Sequence, residues 1–229
     1  MIEDPPLLQI RRNFARPDRA LLQRFAGVPT EHIADAMDGR GALDYQVKPV
    51  DPARASFVGC ALTCLCAPGD NLAIVASLAI LQPHDVIVAA TDAHSTLSVV
   101  GRRVTGMARN RGAVAVVTDG LARDTPGIRQ NGVPVFCRGV SPNSAAAAGP
   151  GVVGQPVVIG GVAVDSGDIV VGDPDGVIVI PRTRVDEVLI RLEAVRAREA
   201  DLAEKLASGL GVPRRVTELL ESPRVRYVD

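Results

Sequence analysis

Between Ser56 and Cys137 unbroken apolar runs alternate, across turns, with stretches of helical spacing. The runs are Ser56–Ala67, Asp85–Ala90 (DVIVAA), Ala113–Thr118 (AVAVVT) and Val133–Cys137 (VPVFC). Between them lie NLAIVASLAIL after the turn Pro68-Gly69-Asp70, the interval Thr96–Arg111 closed by Gly112, and Arg123–Gln130. Strands that alternate with helices predict α/β units and a largely parallel sheet. Runs that are apolar throughout, rather than at every second residue, fit strands covered by helices on both faces.

The flanks differ. In the first 55 residues, Pro17-Asp18 opens a short helix (RALLQRFAG) that Gly27 ends. Thr30 is placed to cap a second helix, EHIADAMDG, that Gly39 closes. Gly41–Ala53 is irregular. Beyond the Ala/Gly/Pro-rich loop Ser141–Gly154 come PVVIGG, VAV, DIVVGD and GVIVIP, split by Gly161, Ser166-Gly167 and Asp173–Gly176. Such close spacing predicts antiparallel hairpins in a second small sheet. After Pro181, Thr183 and Asp186 form a capping-box-like start. Val185, Val188, Leu189, Leu192 and Val195, extended by Leu202 and Leu206, then mark one face of a long C-terminal helix. The chain thus divides into an N-terminal helical segment (1–55), an α/β core (56–182) and a C-terminal helical extension (183–229).

With 25 basic and 26 acidic side chains the net charge is −1, which gives no electrostatic case for nucleic acid or a membrane surface. No apolar stretch is long enough to span a bilayer, and the acidic N-terminus is unlike a secretory signal, so a cytoplasmic location is expected. Aromatic residues make up 3 %, so the core must be aliphatic. Cys60, Cys64 and Cys66 share a strand face in FVGCALTCLCAP, but no second Cys/His cluster completes a tetrahedral site. They and Cys137 read as small buried hydrophobes in a reducing compartment.

Three segments carry candidate chemistry. In VVTDGLARDTPGI a strand runs into Asp119-Gly120, and Arg123-Asp124 opens the next helix. Ligands of open α/β sheets gather beyond the carboxyl ends of strands. There Arg123 could hold a carboxylate bidentately and Asp124 a hard cation, or Asp124 could simply complement a helix dipole. In SVVGRR, Gly101 allows close backbone approach, and the amides of Gly101, Arg102 and Arg103 could form an anion nest, or the glycine could sit in a packed helix start. The turn at Pro68–Leu72 leads into a helix, and Asn71 could point a polar group into a site. Of His32, His84 and His94, the last follows a strand and is best placed for acid–base work. No G-x-S-x-G, G-x-G-x-x-G or Walker loop is present.

Taken together, PGDN at Pro68–Asn71, DVIVAA, DG-x-x-RD at Asp119–Asp124, PVF-x-RG at Pro134–Gly139 and the GDIVVGD-x-DGVIVIP block ending at Pro181 resemble the RraA-like / 4-hydroxy-4-methyl-2-oxoglutarate aldolase family over about Thr30–Pro181. The resemblance implies a layered α/β/β sandwich of the swivelling-domain type, and homotrimers or hexamers with active sites between subunits. It implies a metal-dependent lyase that cleaves a 4-hydroxy-2-oxo acid to pyruvate, with oxaloacetate decarboxylation through the same enolate. Mg2+ or Mn2+ would be bound by Asp124 and mostly by water, with Arg123 on the substrate and backbone amides from Gly101 to Arg103 on its carboxylate. Glu199 would be a contribution from a neighbour. Some relatives are instead ribonuclease regulators, which lack the motif aspartate that is present here as Asp124.

The chain departs from the aldolase pattern twice. Where the aldolases carry an acid directly after the glycine, it has Arg102; where they often carry another acid three residues after the aspartate, it has Gly127. Both acids normally support metal-bound water. A cation at position 102 opposes a divalent ion and could instead meet a second carboxylate or a phosphate of the substrate.

Overall fold

The computed structural model describes residues 6–228, so residues 1–5 of the expected N-terminal segment lie outside it. The elements in chain order are β1 (Leu8–Ile10), α1 (Arg19–Gln23), α2 (Thr30–Ala36), β2 (Lys48–Pro49), β3 (Phe57–Cys66), α3 (Leu72–Ser77) and β4 (Asp85–Ala90). They continue with β5 (Ser98–Val100), α4 (Arg102–Asn110), β6 (Ala115–Thr118), β7 (Leu121–Ala122), α5 (Thr125–Asn131), β8 (Val135–Cys137), β9 (Gly139–Val140) and β10 (Gly151–Val153). The last are β11 (Val157–Ile159), β12 (Val162–Val164), β13 (Ile169–Asp173), β14 (Gly176–Ile180), α6 (Val185–Ala207) and α7 (Arg214–Leu220).

The parallel core is present as β3-β4-β6-β8, and the fold is a layered α/β/β sandwich with a long C-terminal helix. Helices do not cover both faces of these strands. Leu62, Ile87, Val116 and Val135 pack under α3, α4 and α5, whereas Val86, Val88, Ala115 and Phe136 pack against Val157, Ile159 and Val164 of the β11–β12 hairpin and against β13–β14. Either partner keeps both faces dry, so a continuous apolar run does not distinguish a helix cover from a sheet cover.

Only β11–β12 forms the separate hairpin sheet. β13–β14 joins the main sheet, because the ten-residue β3 is long enough to pair β10 along its C-terminal half and β13 along its N-terminal half. The outer face of β13–β14 carries Ile169, Val171, Ile178 and Ile180, onto which α1, α2 and α6 pack. The N-terminal segment is not wholly helical, since β1 and β2 add strands at opposite edges of the main sheet. Thr30 is the first residue of α2 and not its cap; its hydroxyl donates 2.8 Å to Asp173, and the cap position is Pro29. The expected capping box before α6 does not form: a 3-10 turn at Arg182–Arg184 precedes the helix and no side chain caps it.

A second, three-stranded parallel sheet, β5-β7-β9, lies beyond the core. β7 and β9 follow β6 and β8 after gaps of two residues and one, whereas β5 follows β4 across the seven-residue loop 91–97. The interval Thr96–Arg111 is therefore not one helix but β5 followed by α4. Among the described residues no helix is long and apolar enough to cross a membrane.

Candidate active site

The small sheet brings the candidate residues together. β5 and β7 are hydrogen-bonded neighbours, with Ser98 opposite Leu121 and Val100 opposite Ala122. Their carboxyl ends deliver Gly101-Arg102-Arg103 and Arg123-Asp124 side by side, and the Arg123 amide donates 2.9 Å to the Val100 carbonyl. The site thus sits at the end of the small sheet rather than at the end of β6. Gly101 is the N-cap of α4 with an extended backbone, φ −160°. The Thr105 amide donates to the Gly101 carbonyl at 3.1 Å. The amides of residues 102–104 are consequently left without intrahelical acceptors, as at any helix start. Gly101 is needed for space: a Cβ there would lie 3.2 Å from Arg123 Cγ and 3.4 Å from the Arg123 carbonyl oxygen. The close approach expected at this glycine is made by Arg123 itself.

Asp124 is the N-cap of α5 rather than a residue inside it, and it is left-handed, φ 57° and ψ 53°. Aspartate tolerates that region better than most residues, and such backbone clusters at functional sites. Its Oδ1 accepts from the Gly127 amide at 3.3 Å, and its Oδ2 lies 3.2 Å from Arg102 Nε. With 62 % and 45 % of the two side chains exposed, this ion pair contributes at most about 1 kcal/mol. It can open. Gly127 makes the pairing possible, since a Cβ there would come 2.5 Å from Arg102 Cδ, 2.8 Å from Arg102 Cβ and 2.8 Å from Asp124 Oδ2. The two departures noted in the sequence, Arg102 and Gly127, are one spatial exchange: the arginine stem occupies the place of a side chain at position 127.

These residues line a cleft of about 570 Å³. Arg102, Arg103, Arg123 and Asp124 supply its charges; Val75, Val104, Met107, Pro142 and Ala145 supply apolar wall. Three guanidiniums face one carboxylate, so the cleft favours an anion. Asn71 also lines it, but its Nδ2 donates 3.1 Å to the Val99 carbonyl and so ties the start of α3 to β5. Beside it, buried Asp70 accepts from the amides of Leu72, Ala148 and Gly149 at 2.8, 2.6 and 3.0 Å, which fixes the loop that carries the cleft wall. Within PGDN the structural work therefore falls on Asp70, which the sequence did not single out.

His94 is not among the cleft residues; its Nε2 is 2.6 Å from Thr96 Oγ1, so the expected acid–base placement is not realised. Glu199 is half-buried on α6 and does not line this cleft either. The four cysteines are buried, and burial pushes the Cys60 and Cys66 thiols up to about 12. Among the described residues no group of three or more His, Cys, Asp or Glu side chains could hold a metal ion. Of the cleft walls, Met107 comes from α4 and Pro142 and Ala145 from the loop after β9, and nothing in their local sequence marks them.

Comparison with known proteins gives the family and the fold. The profile of the RraA-like family, described as Aldolase/RraA, matches residues 30–179. A protein of Halalkalibacterium halodurans named "Putative 4-hydroxy-4-methyl-2-oxoglutarate aldolase" is 36 % identical over 180 residues, covering 79 % of this chain and 84 % of that protein. The crystal structure of an uncharacterized protein from Pseudomonas syringae pv. tomato superimposes with a TM-score of 0.75 at 27 % identity, over 86 % of this chain and 96 % of that one. Streptomyces coelicolor RraAS2, described as an unusual member of the RNase ES inhibitor RraA protein family, superimposes with a TM-score of 0.70 at 27 % identity, over 84 % of this chain and 98 % of that one. The chain belongs to the RraA-like (Aldolase/RraA) family.

Proposed function

We propose that this chain is an aldolase-type lyase that cleaves a 4-hydroxy-2-oxo acid to pyruvate, with decarboxylation of oxaloacetate at the same site. The observation that supports this reading is the convergence of Arg123, Asp124 and the free amides of α4 on one cation-rich cleft. In the retro-aldol step a base takes the proton of the C4 hydroxyl, the C3–C4 bond breaks, and its electron pair enters a pyruvate enolate. The enolate then takes a proton at C3. The α4 amides and Arg123 would hold the 2-oxo carboxylate and the developing enolate oxygen. Asp124, the one carboxylate among the described residues that lines the cleft, is the group placed to accept the hydroxyl proton.

The divalent ion expected from the resemblance, Mg2+ or Mn2+, does not fit these side chains. Among the described residues Asp124 is its one candidate carboxylate ligand lining the cleft, and the Arg102 guanidinium 3.2 Å from that carboxylate repels a divalent cation. The two positions whose acids would support metal-bound water hold Arg102 and Gly127. The chemistry is accordingly assigned to the chain's own groups.

A regulator without lyase chemistry is the second reading, favoured by the likeness to RraAS2. An assay of pyruvate release from 4-hydroxy-4-methyl-2-oxoglutarate and oxaloacetate, with chelator and with added Mg2+ or Mn2+, decides between them. The lyase reading expects release that Arg123→Ala abolishes. No release from any 2-oxo acid in any condition would leave the regulator. Release that needs a metal ion would return Asp124 to the role of ligand.

A further inference from the structure

The exchange at positions 102 and 127 has a chemical meaning. Arg102 Nε holds Asp124 Oδ2 at 3.2 Å, while its stem crosses the face of Gly127. The guanidinium stays 62 % exposed at the cleft and is the weakly held partner in a solvent-screened pair. An exposed arginine of this kind is free to exchange one carboxylate for another oxyanion, which it grips as a planar fork. Arg103 follows it in the first turn of α4 and lines the same cleft, so the incoming anion meets a second cation and the positive end of a helix. Arg123 lies across Gly101 and is left for the 2-oxo carboxylate.

We infer that Arg102 is a specificity-determining anion anchor that holds the second oxyanionic group of the substrate, the distal carboxylate of the 2-oxo diacids named above or a phosphate in its place. This rests on the lyase reading for the first carboxylate only. On binding, the second anion draws Arg102 away from Asp124. One contact then selects the substrate and frees the Asp124 carboxylate to take a proton. Gly127 is the companion residue, since any side chain there pushes the Arg102 stem out of its track.

The test is titration calorimetry of the full chain in chelator, with three stable probes: pyruvate, 2-oxoglutarate and phosphonopyruvate. They share the 2-oxo carboxylate, while the second and third add a carboxylate and a phosphonate. The parent should bind at least one of the two longer probes about tenfold more tightly than pyruvate, the gain expected from a charge-assisted bidentate contact. Which of the two gains more identifies the carboxylate or the phosphate. Arg102→Gln should remove that preference, so that the longer probe binds no more tightly than pyruvate. Gly127→Ala should weaken the preferred probe in the same direction, with circular dichroism confirming the fold. Equal binding of all three probes by the parent, or loss of all three alike in Arg102→Gln, would overturn the anchor while leaving the lyase reading intact. A parent that binds none of them removes the 2-oxo acid site itself, and both readings fall.

Discussion

Replacing Arg16 by Ala is expected to be among the costlier single changes in this chain. Asp85, the first residue of β4, is wholly buried, and its carboxylate is held by Arg16 Nε at 2.9 Å and Nη2 at 3.0 Å, and by the Gln82 amide at 2.9 Å. The guanidinium also stacks 4.0 Å from the Phe14 ring. Removing one partner of a buried pair costs about 3–5 kcal/mol, because the remaining charge stays desolvated. Here the lower end applies: the Gln82 amide remains, and Arg16 keeps 17 % of its side chain exposed, so water can reach the gap. About 3 kcal/mol is expected for Arg16→Ala. With a urea slope of about 2–3 kcal/mol/M for a domain of this size, the midpoint falls by about 1 M at fixed protein concentration. Arg16→Lys keeps the charge but loses the fork and should cost about 1–2 kcal/mol. Asp85→Asn in the Arg16→Ala background removes the unpaired charge and should recover part of the loss. A midpoint shift below about 0.3 M for Arg16→Ala, or no recovery in the double variant, would show that the pair does not hold β4 in place.

Further outcomes follow from the same structure. Asp70→Ala leaves the amides of Leu72, Ala148 and Gly149 without their acceptor; Ala148 is exposed and water can replace part of the loss, so about 1 kcal/mol in thermal unfolding is expected, with a lower kcat/KM because the loop carries the cleft wall. Native protein should react with a thiol reagent only on unfolding. The folded thiols of Cys60 and Cys66 titrate near 12 against 9.0 for an unperturbed thiol, so their contribution to stability is full below pH 9 and is lost as pH rises toward 12; early labelling at pH 8 would refute this. Arg102→Glu should tighten Mg2+ binding in calorimetry by removing the competing cation beside Asp124; unchanged binding would show that Arg102 does not exclude the ion. Light scattering should give the mass of a homotrimer or hexamer, and in that assembly Glu199→Gln should lower kcat if Glu199 completes a neighbour's cleft; a stable monomer at micromolar concentration would remove Glu199 from the site.

The parallel core, the long C-terminal helix and the two segments that line the candidate site were legible in the sequence alone. Each is a local property: unbroken apolar runs for β3, β4 and β6, helical periodicity from Val185 to Val195, and short polar signatures at Gly101–Arg103 and Arg123-Asp124. Three things needed the tertiary structure. β5, β7 and β9 are two or three residues long, too short for any period to show, and they pair only because the chain leaves the parallel core strands β4, β6 and β8 side by side. The β13–β14 hairpin was legible, but its attachment to β3 was not, because pairing is set by the length of a distant strand and not by the hairpin's own residues. Arg102 and Gly127 read as two unrelated departures, twenty-five positions apart in sequence. Only folding places the arginine stem over the glycine and its guanidinium on Asp124, because α4 and α5 start from adjacent parallel strands and therefore share one end of the sheet.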